Sequence, residues 1–268
     1  MIDEAQNFVR QHYHDFMARE PDAQGLSYWT QQVTQCGNNP ACIGTKRIDV
    51  SNAFFFEQEF QKTGAYVFRV YRVAFGNNQP IANSDSSDPD HAKLPGYAAF
   101  APDRARVIGG TNLAQGQQDY ANVFVQRAAF LAKYPASLDG PGFVDAILGT
   151  IQGDLGVDLI SQRVALIALF NSGGRGAVVY RLADDSASNP ITNGALIDAE
   201  YNRAFVATQY FDYLRRDSDM GGFTFWLNQI NSASLRNVAK QHAMVCSFIT
   251  SVEYQNRFSS VVSQVCLA

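Results

Sequence analysis

The chain has little of what most ligand-directed chemistry is built from. Its 268 residues include four histidines, four cysteines and two tryptophans, and Lys/Arg nowhere form a block. The net charge is −4, so the basic face that nucleic acid or an anionic membrane demands is missing. No window approaches the roughly 18 uninterrupted apolar residues of a spanning helix, which argues against membrane insertion. The opening "MIDEAQNFVRQHY" lacks a positive-then-apolar leader. Its amphipathic pattern begins almost at Met1, and we expect a domain excised from a longer extracellular or cell-surface protein. There is no G-x-S-x-G, no H-E-x-x-H and no P-loop lysine. The expectation is a protein that is not an enzyme, with no catalytic residue and no bound cofactor.

What is present is apolar and aromatic. Hydrophobic residues make up 46% and aromatics 12%, with 19 Phe and 12 Tyr. That is ample for a packed core and excludes wholesale disorder. The four cysteines are paired in position. Cys36 and Cys42 flank a Gly-Asn-Asn-Pro turn, which can bring two Cα atoms to disulfide distance. Cys246 and Cys266 are placed to pin the C-terminus onto the preceding helix. The alternative is four buried thiols; a zinc site is disfavoured by the spacing. An even count leans towards an oxidising compartment.

Helical periodicity dominates. Phe8, Val9, Tyr13, Phe16 and Met17 form one stripe of a 3.6-residue helix. Residues 51–64, 115–133, 157–171, 198–215, 222–230 and 236–258 read likewise. "GAVVYRLA" (176–183) is the one run that could be a strand. The fold class is all-α.

Shifting residues 8–29 by 197 places Phe8-Val9 on Phe205-Val206, Tyr13 on Tyr210 and Asp15 on Asp212. It also places Arg19 on Arg216, Asp22 on Asp219, Gly25 on Gly222 and Trp29 on Trp226. After a three-residue deletion, 54–61 falls on 248–255. Fainter copies span 68–100 and 124–171. We therefore expect one compact helical domain, 1–268, built from about four degenerate helix–turn–helix units. The strong copies are 8–62 and 205–258, and two pseudo-equivalent lobes are allowed. The stretch 80–96, rich in Pro, Ser and Asp, reads as an exposed polar insertion.

"MAREPDAQGLSYW" and "LRRDSDMGGFTFW" resemble the hallmark of a bacterial family, the domain of unknown function number 4214. The ending "SVEYQNRF" (251–258) is similar to a helix of that family and of phycobilisome linker domains. The second copy departs from the hallmark at Ser218, where proline stands in the first. The resemblance implies a helical module of secreted or surface-attached proteins and carries no catalytic residue.

The acidic turns are the candidate sites. Asp217, Asp219 and Gly222 occupy positions 1, 3 and 6 of an EF-hand-like loop, with Asn228 at position 12 where calcium needs a bidentate Glu. Weak calcium binding is the most this allows. The structural reading explains more: Asp22 and Asp219 cap helices beside Gly25 and Gly222, with Trp29 and Trp226 packing back on Tyr13 and Tyr210. His12 and His14 point to different faces. His91 sits among Asp85, Asp88 and Asp90 in a loop expected to be solvated, and His242 lies on a helix. Glu57 and Glu59 diverge; Glu59 and Glu253 are equivalent and expected near a helix N-terminus.

These readings favour surface scaffolding, adhesion or self-assembly, with a protein, a surface glycan or a second copy as partner. A glycan-binding module would use Tyr28, Trp29, Phe225 and Trp226 as stacking platforms. A cell-wall-glycan hydrolase is the least favoured alternative.

Overall fold

The structure, a computed structural model, describes residues 2–56, 58–85, 93–185 and 193–258. It is all-α: among the described residues the only β pairing is an isolated antiparallel bridge between Ala82 and Pro95. The ambiguous run 176–183 is helical. Val178, Val179, Leu182 and Ala183 are buried there, at the i, i+1, i+4, i+5 spacing of a helix face.

The first copy comprises α1 (Ala5–His12), a single π turn (Tyr13–Met17), α2 (Ala23–Thr34), α3 (Pro40–Phe56) and α4 (Gln58–Lys62). Then come α5 (Gly64–Phe75), α6 (Tyr97–Arg104), α7 (Leu113–Phe124) and α8 (Ala128–Lys133). The third part is α9 (Gly140–Thr150), a second π turn (Ile151–Leu155) and α10 (Arg163–Ala183), which is broken at Gly174, where φ is +69°. The last copy comprises α11 (Gly194–Gln209), a third π turn (Tyr210–Leu214), α12 (Met220–Asn231), α13 (Val238–Ile249) and α14 (Val252–Asn256).

Each π turn is followed by a left-handed residue: Ala18 and Arg215 at φ 54°, Gly156 at φ 72°. The π turn widens the helix by one residue and the left-handed residue then reverses the chain. For Ala18 and Arg215 that conformation costs about 1 kcal/mol or more, so the surrounding contacts must hold it.

Helix α5 is the axle. Every one of its residues is buried, as expected of a helix apolar on all sides, and it packs against α10, α11, α4, α6 and α9. Its two arginines are accommodated by pairing. Arg72 donates from Nε to Glu200 Oε2 at 2.7 Å, an ion pair with both partners buried, and its remaining nitrogens reach Gly76 O, Asn77 Oδ1 and Lys93 O. Arg69 donates to the carbonyls of Ala183 and Gln61.

One hydrophobic cluster runs from Phe8 to Tyr254, and α3 packs on α13 while the first π turn faces the third.

The 80–96 insertion is corrected in part. Its stem is exposed only in part: Pro80, Ile81 and Ser84 are exposed, whereas Asn83, Leu94, Pro95 and Gly96 are buried, joined by Asn83 N to Leu94 O at 3.1 Å and Gly96 N to Ile81 O at 2.8 Å. Residues 86–92, which include His91, Asp88 and Asp90, lie outside the described residues.

Candidate functional site: paired corners and the seam between them

Asp22 caps α2 through Oδ1, which accepts the Gly25 amide at 2.7 Å; Asp219 caps α12 by accepting the Gly222 amide at 2.6 Å. That bond holds the Asp22 carboxyl below the usual carboxylate range. The glycines are required by a close approach. A Cβ on Gly25 would lie 2.3 Å from Tyr13 Oη, and one on Gly222 would lie 2.4 Å from Tyr210 Oη. In the fainter copies the likeness is narrower: Asp139 caps Gly142 in the same way, whereas Gly96 opens α6 with no side-chain cap.

The tryptophans meet the tyrosines through an intervening phenylalanine. Phe54 is edge-on to Tyr13 at 5.0 Å and 5.5 Å from Trp29; Phe248 is edge-on to Tyr210 at 4.9 Å and 6.5 Å from Trp226. Both tryptophans are half-buried, and the neighbouring rings, Tyr28 and Phe225, are 54% and 55% exposed.

The equivalent glutamates stand in the first turns of α4 and α14, as expected, and each also clasps an arginine. Glu59 takes two hydrogen bonds from Arg19, each 2.6 Å, and Glu253 takes two from Arg216 at 2.5 and 2.9 Å. Ser251 caps α14 by accepting the Tyr254 amide. The Ser-x-Glu pattern therefore combines a helix cap with an arginine clasp. Glu57 lies outside the described residues.

Behind the corners the two copies exchange charge. Arg257 donates to the Asp212 and Tyr213 carbonyls of the third π turn, and its Nη2 reaches Asp15 Oδ1 at 2.9 Å. Arg104 donates to the Asp15 carbonyl of the first π turn, and its Nη1 stands 3.8 Å from Asp212 Oδ1. The aspartates are equivalent in sequence and both buried, but their surroundings differ. Asp15 Oδ1 also accepts from Arg215 at 3.0 Å and from Gln11 at 2.9 Å. Asp212 Oδ2 has no hydrogen-bond partner, and burial, opposed by Arg104 and reinforced by Asp15, pushes its carboxyl up to about 8.

His12 belongs to this core. Its Nδ1–H donates to Phe8 O at 2.8 Å, so Nε2 accepts from Ser51 Oγ at 2.7 Å, and burial lowers the imidazole to about 4. His14 sits at the surface, 2.7 Å from Glu20.

Two of the three expected cation ligands also serve the fold. Asp217 accepts the Ser84 amide at 2.9 Å with one oxygen and the Tyr97 amide with the other. Asp219 is the α12 cap, and Asn228 is exposed on α12. Asp217 thus staples the stem of the 80–96 segment to the second corner. Asn83 Nδ2 donates to Ser218 Oγ at 2.9 Å, and the Met220 amide donates to Asp85 Oδ2 at 2.9 Å. Ser218, the departure from the hallmark, supplies the acceptor that a proline would lack. Among the described residues no three His, Cys, Asp or Glu side chains are placed to hold a metal.

Cys36 and Cys42 form a disulfide with Cα atoms 5.5 Å apart. Cys246 is half-buried on α13, and Cys266 lies outside the described residues. Two open depressions had no place in the sequence reading: one of about 700 Å³ lined by Gln6, Leu26, Thr30 and Thr34, and one of about 330 Å³ where α3 meets α13, lined in part by Asp49, Asn52, Phe56 and His242. The only sequence signal for the second is the i, i+3, i+7 spacing of Asp49, Asn52 and Phe56.

No helix among the described residues is long and apolar enough to cross a membrane. Neither a curated protein nor a solved structure matches the chain. Residues 195–258 match the family described as a domain of unknown function, DUF4214; they carry α11 to α14, the Asp219 cap and the Arg216–Glu253 clasp. Through that segment, and the corner its first copy repeats, the chain resembles the DUF4214 family.

Proposed function

We propose that the chain is a non-catalytic extracellular helical module that acts in surface scaffolding, adhesion or self-assembly. The observation that carries this reading is the placing of Tyr28 and Phe225, more than half exposed at equivalent positions of two corners whose polar groups serve the fold. Two similar aromatic steps on one molecule suit repeated contact between copies, and a contact that does not close on itself propagates into an array. The Cys36–Cys42 disulfide supports an oxidising, extracellular setting.

Light scattering across a concentration series, with electron microscopy of the concentrated sample, tests it. Mass should rise with concentration, and Tyr28→Ser combined with Phe225→Ser should return the chain to monomers. A wild-type chain that stays monomeric at high concentration would sink the assembly reading. Glycan binding is the second reading, favoured by the half-buried Trp29 and Trp226 beside those exposed rings. A glycan array probed with wild type and the double Ser variant separates the two, since stacking predicts spots that the variant loses.

A further inference from the structure

The cavity between α3 and α13 has the makings of a ligand site, and it lies away from the corner motif. On α3, Asp49, Asn52, Ala53 and Phe56 share one face at i, i+3, i+4 and i+7; on α13, Val238 and His242 are i, i+4 neighbours, and Gln58 completes the lining. Asn52 is 3% exposed and its Oδ1 has no hydrogen-bond partner. A buried amide oxygen without a donor weakens a fold, and such local violations are expected where a site is needed. Rotation of the terminal amide is soft, so either end of Asn52 can turn to the cavity.

Among the described residues its carboxylate is paired. Lys46 Nζ is 3.1 Å from Asp49 Oδ2, and His242 Nδ1 is 3.9 Å from Asp49 Oδ1. Burial lowers the His242 imidazole below its ordinary value, so it is neutral near pH 7. A divalent cation would find one carboxylate already shared with a lysine; an anion would find no unpaired cation among the lining residues. What remains is acceptors, a neutral imidazole and the half-buried ring of Phe56. Those are the requirements of a neutral polyhydroxylated ring. At about 330 Å³ the volume is at the small end for ligand sites and suits one ring rather than a chain.

We infer that this cleft is a binding site for a single neutral sugar ring, with Asp49 and Asn52 accepting its hydroxyl protons, His242 completing the polar set and Phe56 against its apolar face. The site is single. In the second copy the positions of Asp49, Asn52 and Phe56 are held by Ala243, Cys246 and Thr250, which offer neither carboxylate, amide nor ring. The inference stands on this cleft and not on the corner aromatics, so it is independent of the assembly reading.

Calorimetric titration and ligand-observed NMR of the full chain with glucose, galactose, mannose and N-acetylglucosamine, up to tens of millimolar, test it. At least one should bind with one site per chain. Asn52→Leu should weaken that binding about tenfold or more while leaving Tm at or above wild type, because the buried amide oxygen it removes has no partner. Asp49→Ala, a half-exposed position, should weaken it similarly in a folded chain. The Tyr28→Ser, Phe225→Ser double variant should bind as wild type does. Failure of all four sugars, unchanged affinity in Asn52→Leu or Asp49→Ala, affinity lost in the double Ser variant, or a lowered Tm in Asn52→Leu would each overturn the proposal.

Discussion

Asp15 and Asp212 occupy the same position of two copies, and substituting Asn at each should have opposite effects. Asp15 Oδ1 is buried and accepts from Arg257, Arg215 and Gln11. Charged hydrogen bonds contribute roughly 1.5–3 kcal/mol each. Arg215 is mostly exposed, so its share is small after solvent screening, and Asp15→Asn should cost about 3 kcal/mol in all. At about 2.1 cal/mol/K per residue the entropy of unfolding is about 0.56 kcal/mol/K, so Tm should fall by about 5 °C. Asp212 differs because its carboxyl is raised to about 8 by burial, whereas the unfolded chain ionises it near about 3.9. Between those values the folded chain holds a proton that the unfolded chain has lost. The contribution of Asp212 to stability therefore falls as pH rises through that window and is steady above it, with a slope of at most about 1.4 kcal/mol per pH unit. His12, lowered to about 4 by burial, gives an opposite slope below about pH 6.5, so the effect is read as the difference between variant and wild type. Asp212→Asn cannot ionise, so it should lose this slope and exceed wild type at pH 7 by up to about 4 kcal/mol. Urea denaturation followed by far-UV circular dichroism, from about pH 5 to about pH 8, reads both effects. The reasoning fails if Asp212→Asn is less stable than wild type at pH 7, or if the two variants lose the same amount.

Gly25→Ala and Gly222→Ala should each lose about 1–3 kcal/mol by overpacking against a tyrosine hydroxyl; Tyr13→Phe added to Gly25→Ala should restore part of the Tm, and no restoration would mean that the hydroxyl is not the obstacle. Asp217→Ala should speed proteolytic cleavage within 80–97, since it removes both amide contacts that hold the stem, and calcium should leave the wild-type Tm unmoved; a calcium-dependent rise lost in Asp217→Ala would restore the cation reading. Replacing Cys36 and Cys42 by Ser should cost about 2 kcal/mol, the closure entropy of so short a loop, and neither cysteine should react with a thiol reagent in unreduced, denatured protein.

The parts of this molecule that could be read from the sequence are those made by residues near one another. An Asp three residues before a Gly amide caps the same helix wherever the chain goes, and two cysteines with five residues between them, around a Gly-Asn-Asn-Pro turn, are within reach of each other. The stripe from Phe8 to Met17 makes a helix for the same local reason. The run 176–183 was ambiguous because β-branched residues suit a strand as well as a buried helix, and only burial against neighbours decides between them. The stapling role of Asp217 was not legible, because nothing nearby in sequence announces the amides of Ser84 and Tyr97, well over a hundred residues away.

The sequence by itself determined the helical class, the doubled corner and its capping chemistry, because those follow from spacings of three to seven residues. Tertiary structure alone decided that Asp15 is clasped while Asp212 is left with an unpartnered oxygen. It also decided that the copies share one core and that their α3 and α13 leave a cavity between them. Each of these depends on which distant side chain arrives at a given face, and local propensity carries no record of that.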